Sequence, residues 1–174
     1  MNPTKFFEEQ LNELDQDCFF GHVHYRTWRR LNKSFGSELE TMEVASSFFV
    51  STAEAHLNSV RLHLFRLLDD AKDSTSIFEL IKYAENNKEI FRNQVRLDKA
   101  LERHHKLLTK LNPTIENLRK HRKKHFIHKS KEYLNIGFDR LYKEYSATYK
   151  DYEKVLITIG EILNDYLELF EVLK

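Results

Sequence analysis

Apolar residues recur three and four positions apart along most of the chain, and no convincing segment alternates with a period of two, so the pattern predicts helices throughout. Asn2 and Pro3 supply an N-cap and a proline at the first helical position, opening a helix that carries Phe6, Phe7, Leu11, Leu14 and Cys18. Gly21 is expected to bend it. The stripe continues through Tyr25, Trp28 and Leu31 and stops near Phe35, Gly36 and Ser37, where glycine provides a C-terminal cap. A second helix starts at Ser37 or Thr41 and runs through Val44, Phe48, Ala55, Leu62, Phe65 and Leu68 until Asp69, Asp70 and Asp73 end it. Arg61, His63 and Arg66 fall mostly off its apolar stripe. The polar break from Asp73 to Ser76 caps a brief third helix with Ile77, Leu80, Ile81 and Tyr83, and Glu85 to Glu89 reads as a loop. A fourth helix is expected from about Ile90 to Leu111, burying Phe91, Val95, Leu101 and Leu108. Asn112 and Pro113 repeat the cap-plus-proline signal and predict a fifth helix lasting to about Lys129. Asn135 and Gly137 mark the next break. The last helix is expected from about Phe138 to Leu173, carrying Leu141, Tyr145, Tyr152, Leu156, Ile159, Leu163, Leu167 and Phe170.

Composition agrees with this pattern. Four glycines and two prolines in 174 residues leave little material for tight hairpins. The expected class is all-α, an antiparallel bundle of about five to six helices formed by one domain over residues 1–174. The single cysteine, Cys18, forbids an internal disulfide, fits a reducing compartment and reads as a small core hydrophobe. Acidic residues stand where a signal peptide needs a basic start, and no run of about 18 apolar residues occurs, so the expected location is cytoplasmic, with no membrane partner.

Charge refines the picture by its position. The formal net charge is +1, yet residues 119–131 hold seven lysines or arginines and no acid, while acids concentrate in the opening and closing segments. On a wheel of about 100° per residue, Ile115, Leu118, Arg122 and Phe126 share one narrow stripe, which puts Arg122 in an apolar slot. A guanidinium there needs an anion, either an acid of the fold or a bound phosphate. His121, His125 and His128 stand at i, i+4 and i+7 on a neighbouring face. Imidazoles so placed can share a proton or a metal; without a nearby cysteine or a clear fourth ligand, the metal option is the weaker one. Histidine and arginine beside one phosphodiester are sufficient in kind for metal-free RNA cleavage, the histidine deprotonating the 2′-hydroxyl and the arginine stabilising the charged pentacoordinate state. The competing reading is plain: a charge run on a helix is most often a solvated face. His104 and His105 read as surface residues. His22 and His24 could join the basic helix only if the fold brought them there.

At Arg122-Lys123-Lys124-His125-Phe126-Ile127-His128 the sequence resembles the HEPN superfamily, whose motif is an arginine, four to six intervening residues and a histidine. It is most similar to the abortive-infection branch, of the Abi-U type, in which a lysine follows two places after the arginine and a small apolar residue precedes the histidine. Arg119 and His125 satisfy the same spacing in an overlapping register. Lys124 and Ile127 select Arg122 with His128, and Lys123 departs from the polar Asp, Asn or His usual after the arginine. Val60 to Asp70 and Ser74 to Ile81 also resemble that branch's second helix and polar break, extending the likeness over most of the chain. The resemblance implies a metal-independent endoribonuclease of toxin or phage-defence type, acting without a cofactor as a homodimer whose two motifs face each other across one cleft. Arg122 and His128 would be catalytic, with His125, Lys124, Lys123, Arg119, His121 and Lys129 assisting or binding RNA. The alternative it implies is a catalytically inactive helical module that binds RNA or a protein partner such as an antitoxin.

Overall fold

The computed structural model describes residues 2–37, 45–71, 74–122 and 148–171. Five α-helices are present among them: α1 (Pro3–Ser37), α2 (Ser46–Leu67), α3 (Ile77–Asn86), α4 (Gln94–His121) and α5 (Tyr149–Glu171), with a 3-10 turn at Lys88–Ile90 before α4. There is no strand among the described residues, so the all-α bundle expected from periodicity is the fold.

The opening signal works as the sequence predicts. Asn2 Oδ1 accepts the backbone N–H of Thr4 at 2.9 Å, relieving one of the unpaired donors of the first turn. The helix then runs 35 residues without a break at Gly21. That glycine makes room instead of a bend: a Cβ on it would lie 2.8 Å from Leu156 Cδ2 and 3.5 Å from His63 Cβ, so α2 and α5 both close on α1 there.

Cross-helix contacts give the directions. Along α1, Glu13, Asp17 and His24 meet Arg66, His63 and His56 of α2, an antiparallel pair. Phe7 packs on Tyr166 and Phe170, Cys18 Sγ donates to the Leu156 carbonyl at 3.6 Å, and Tyr25 and Arg29 reach Glu153, so α5 is antiparallel to α1 as well. Arg96 pairs with Glu168 and His104 with Asp165, which runs α4 antiparallel to α5. The core is the shared interior: Phe7, Leu14, Val60, Leu64, Leu97, Leu111, Leu156, Ile159 and Tyr166 are all at most 1% exposed. Cys18, buried in it, has its thiol pushed up to about 12, chiefly by burial, in keeping with a core role.

Several sequence expectations are corrected. Phe48, Ala55 and Leu62 of α2 are exposed, while Ala53, Leu57, Val60, Leu64 and Leu67 are buried. The helix has apolar residues on two azimuths, and contact with α1 selects the second. Val95 is 68% exposed because α4 turns Leu97, Leu101, Leu108 and Leu111 inward instead. Glu85 and Asn86 belong to α3, not to a loop. His104 is fully buried, and the expected fourth and fifth helices are one. Pro113 lies inside α4, where it removes the N–H that would bond the carbonyl four residues back. An interior proline costs about 3 kcal/mol. Leu111, Ile115 and Leu118, each 1% exposed, continue the same buried stripe across it, and burying each stabilises by about 1.5–3 kcal/mol, so packing wins over the break signal.

Ser37 ends α1 and so does not start the second helix. Met1 and residues 38–44, 72–73, 123–147 and 172–174 lie outside the described part, and with them the alternative start at Thr41, the extension of the basic helix to Lys129, the break near Gly137 and the two expected ends of the last helix at Phe138 and Leu173. No helix among the described residues is long and apolar enough to cross a membrane.

Gly21→Val should lower stability by about 1–3 kcal/mol through overpacking against Leu156, read from the urea midpoint. Pro113→Ala should raise it by about 1–2 kcal/mol, since the helix regains its bond and the site is exposed.

Candidate functional site

The sequence-predicted site begins at the C-terminal turns of α4. Arg122 lies on the azimuth of Leu97, His104, Leu108 and Ile115, the buried face, as its spacing requires. The anion it meets is Asp69, in the turn that follows α2, with Nη2 3.0 Å from Oδ2. Asp69 is fixed in turn, since its Oδ1 accepts the Ala71 N–H at 3.1 Å. The hydrogen bond from Arg122 is the main reason the Asp69 carboxyl is held below its ordinary range; burial opposes this, and the backbone N–H bonds assist.

Arg119 is held on the same turn by different means. Its Nε and Nη2 donate to the Leu68 carbonyl at 3.4 Å each, its Nη1 donates to Glu116 at 3.0 Å, and its guanidinium lies 4.9 Å over the Phe78 ring of α3. Asp70 stands 3.9 Å from its Nε. Arg119 of α4 and Arg122, its C-cap, thus grip the α2–α3 turn. His121, one position before Arg122, is 7% exposed and faces inward. Lys123, Lys124, His125, His128 and Lys129 lie outside the described residues.

The acids that hold the arginines were missed as site residues, because Asp69 and Asp70 read in sequence only as helix terminators. The available signal was the need of Arg122, in an apolar slot, for a carboxylate.

The other histidines form two separate groups. His22 lies against α5, where a Cβ on Gly160 would stand 3.9 Å from its Nε2, and His24 lies against α2. His24 Nδ1 and His56 Nδ1 are 2.8 Å apart, so one hydrogen is shared between them, and the His24 ring stacks on His63, which bonds Asp17 at 2.9 Å. Burial first, then the neighbouring His56 and His63, lower the basicity of His24. His22 is likewise lowered, mainly by burial. His104 is a core residue: its Nε2 donates to Asp165 at 2.8 Å and its Nδ1 accepts from the Tyr166 hydroxyl at 3.3 Å, satisfying both nitrogens of a neutral ring. Burial, then Arg103 and His105, bring it down to about 4. Among the described residues no three His, Cys, Asp or Glu side chains are arranged as ligands for a metal ion.

A family model for the AbiU2 type of HEPN domain matches residues 5–172. No curated protein and no solved structure matches the chain.

The Asp69–Arg122 pair makes an acid-sensitive contribution. A carboxyl with a depressed folded pKa stabilises fully above its unfolded value, near 4, and that contribution is lost as pH falls through the lower folded value. Asp69→Asn should cost about 1 kcal/mol at pH 7. The difference from wild type should shrink as pH falls below about 4 and through the lower folded value of Asp69, read in thermal melts across pH.

Proposed function

Because the chain belongs to the abortive-infection AbiU2 family of HEPN domains, we propose that it is a metal-independent endoribonuclease of toxin or phage-defence type. The observation that supports this most is the family match spanning residues 5–172, which includes Arg122 and His128 at the motif spacing. In this reading His128 accepts the 2′-hydroxyl proton, the 2′-oxygen attacks phosphorus, and Arg122 stabilises the charge on the pentacoordinate phosphorus through paired donors. The P–O5′ bond then breaks, the departing oxygen takes a proton, and the products are a 2′,3′-cyclic phosphate and a 5′-hydroxyl. His125 and Lys124 assist, and Lys123 and Lys129 contribute to RNA binding; the expectation that Arg119 and His121 would also bind RNA is corrected, because His121 faces the interior and the Arg119 guanidinium is spent on the Leu68 carbonyl and Glu116.

Arg122 and His128, six positions apart, point about 120° from each other on an ideal helix. A two-fold axis beside the helix would pair each arginine with the opposite histidine, so the working form is a homodimer.

Asp69 bears on the chemistry. A carboxylate 3.0 Å from Arg122 holds the guanidinium in place, and it also occupies donors that a phosphate would use. The same pair is what favours the second reading, a catalytically silent module that binds RNA or an antitoxin, in which Arg122 has only a structural task.

Purified protein should cut RNA with chelator present. Arg122→Ala and His128→Ala should each lower the rate by at least about 100-fold, with His128→Ala keeping the wild-type melting temperature. Wild-type protein that leaves both messenger RNA and a tRNA panel intact, on gels and in end-group analysis, would remove the enzyme reading in favour of the silent module.

A further inference from the structure

The solvent side of α4 carries a second charged feature. Arg96, Lys99, Arg103, Lys106 and Lys110 follow one another in steps of three and four residues, and all five are exposed. On the helical wheel they fall within an arc of about 80°. At 1.5 Å per residue they form a ridge about 21 Å long, with a cation roughly every 5 Å. Leu97, Leu101, Leu108 and Leu111 are buried on the other side, so the ridge faces outward.

The first half of the ridge borders a cleft of about 400 Å³, with Arg96, Lys99 and Arg103 on the α4 wall and Asp165 and Glu168 on the α5 wall. Three of the five cations meet carboxylates. Arg96 pairs with Glu168 at 2.7 Å, Lys106 with Glu102 at 2.5 Å, and Arg103 with Asp165. Glu168 and Glu102 are 63% and 68% exposed, and such solvated pairs yield to a competing anion at little cost. Asp165 stays in place, because His104 holds it at 2.8 Å from the interior. Lys99 and Lys110 make no ion pair among the described residues.

We propose that this ridge binds the phosphate backbone of an RNA strand, and so holds substrate alongside the site at the far end of α4. The proposal rests on the ribonuclease reading for the choice of RNA. The ridge itself argues for a polyanion of regular charge: its cations are evenly spaced in a line, and the apolar residues beside it, Ala100 and Leu107, are half-buried. A protein partner would want a central apolar or aromatic anchor and few lysines, which this surface does not offer. Backbone contacts from lysine and arginine carry most of the affinity for nucleic acid and do not require base recognition.

The test uses the full chain and a labelled 20-nucleotide 2′-O-methyl RNA, which has no free 2′-hydroxyl and cannot be cleaved by this chemistry, with binding read by fluorescence polarisation across potassium chloride concentrations. Lys99→Glu combined with Lys110→Glu should lower affinity at least tenfold and flatten the log–log salt slope by about 1.4, with the far-ultraviolet circular dichroism of wild type. Glu168→Gln should raise affinity two- to fivefold, by releasing Arg96, an outcome that a merely structural role for Glu168 would not produce. Wild type that binds and cuts RNA while the double variant binds equally well would overturn the ridge and leave the nuclease standing. Ridge-dependent binding without any cleavage of ordinary RNA would support the ridge and remove the nuclease. Wild type that does not bind the probe, or that is competed as well by polyglutamate of matched charge as by RNA, overturns the ridge.

Discussion

The bundle depends on how closely α1 can be approached. At Gly21 the absence of a side chain lets Leu156 of α5 come to a distance that a Cβ would not allow without a shift, while His63 of α2 stands at ordinary contact beside it. The consequences run along α1 in both directions. Toward its start, Phe7 is enclosed by Phe91, Tyr166 and Phe170, with ring centroids 5.1 to 5.4 Å apart. Toward its end, Tyr25 and Arg29 reach Glu153, and Trp28 meets Tyr149 at 4.2 Å. A wider α1–α5 spacing would strand both sets of contacts. The position of α5 then fixes α4, because Asp165 and Tyr166 satisfy both nitrogens of the buried His104.

From there the electrostatics are consistent. Acids on α1, α5 and the α2–α3 turn accept from the donors of neighbouring elements: Asp17 takes His63 and Arg66, Asp165 takes the neutral His104 and Arg103, and Asp69 takes Arg122. Most of these pairs are partly exposed and add little individually. Their value lies in position. Asp69 and the Leu68 carbonyl bind the turn after α2 to the last turns of α4, so the segment that leads into the candidate motif is tied to the bundle from two directions.

Much of this was legible in the sequence. The helical class, the N-cap at Asn2, the Ser76 cap of α3 and most of the buried residues of α1 and α5 follow from periodicity and capping, which are local properties. The misreadings share a cause that is not local. Pro113 was given its intrinsic preference, but Leu111, Ile115 and Leu118 pack across it. Phe48 and Leu62 were ranked by hydrophobicity, but α1 contacts the other azimuth of α2. His104 was read as a polar residue, although its position between Leu101 and Leu108 already put it on the buried stripe and only its partners on α5 were hidden. At the candidate site the arginine's need for an anion was visible, but the identity of the anion required the third dimension. The exposed cations of α4 are invisible to the apolar stripe, because their period lies in the charges.

The continuity of α4 across Pro113 has a bearing beyond packing. A helix of 28 residues is a rod about 42 Å long, and one rod carries the outward cations along its side and the arginine of the motif as its C-cap. Lys110 and Arg122 are separated by about 18 Å of helix rise. Had the chain broken into two helices at the proline, the angle between those groups would be free to vary. If the protein is the nuclease proposed above, a strand seated on the ridge would meet Arg122 at a set contour distance, and α4 would serve as a ruler, measuring the cut from where the strand is gripped and not from the bases at the cut.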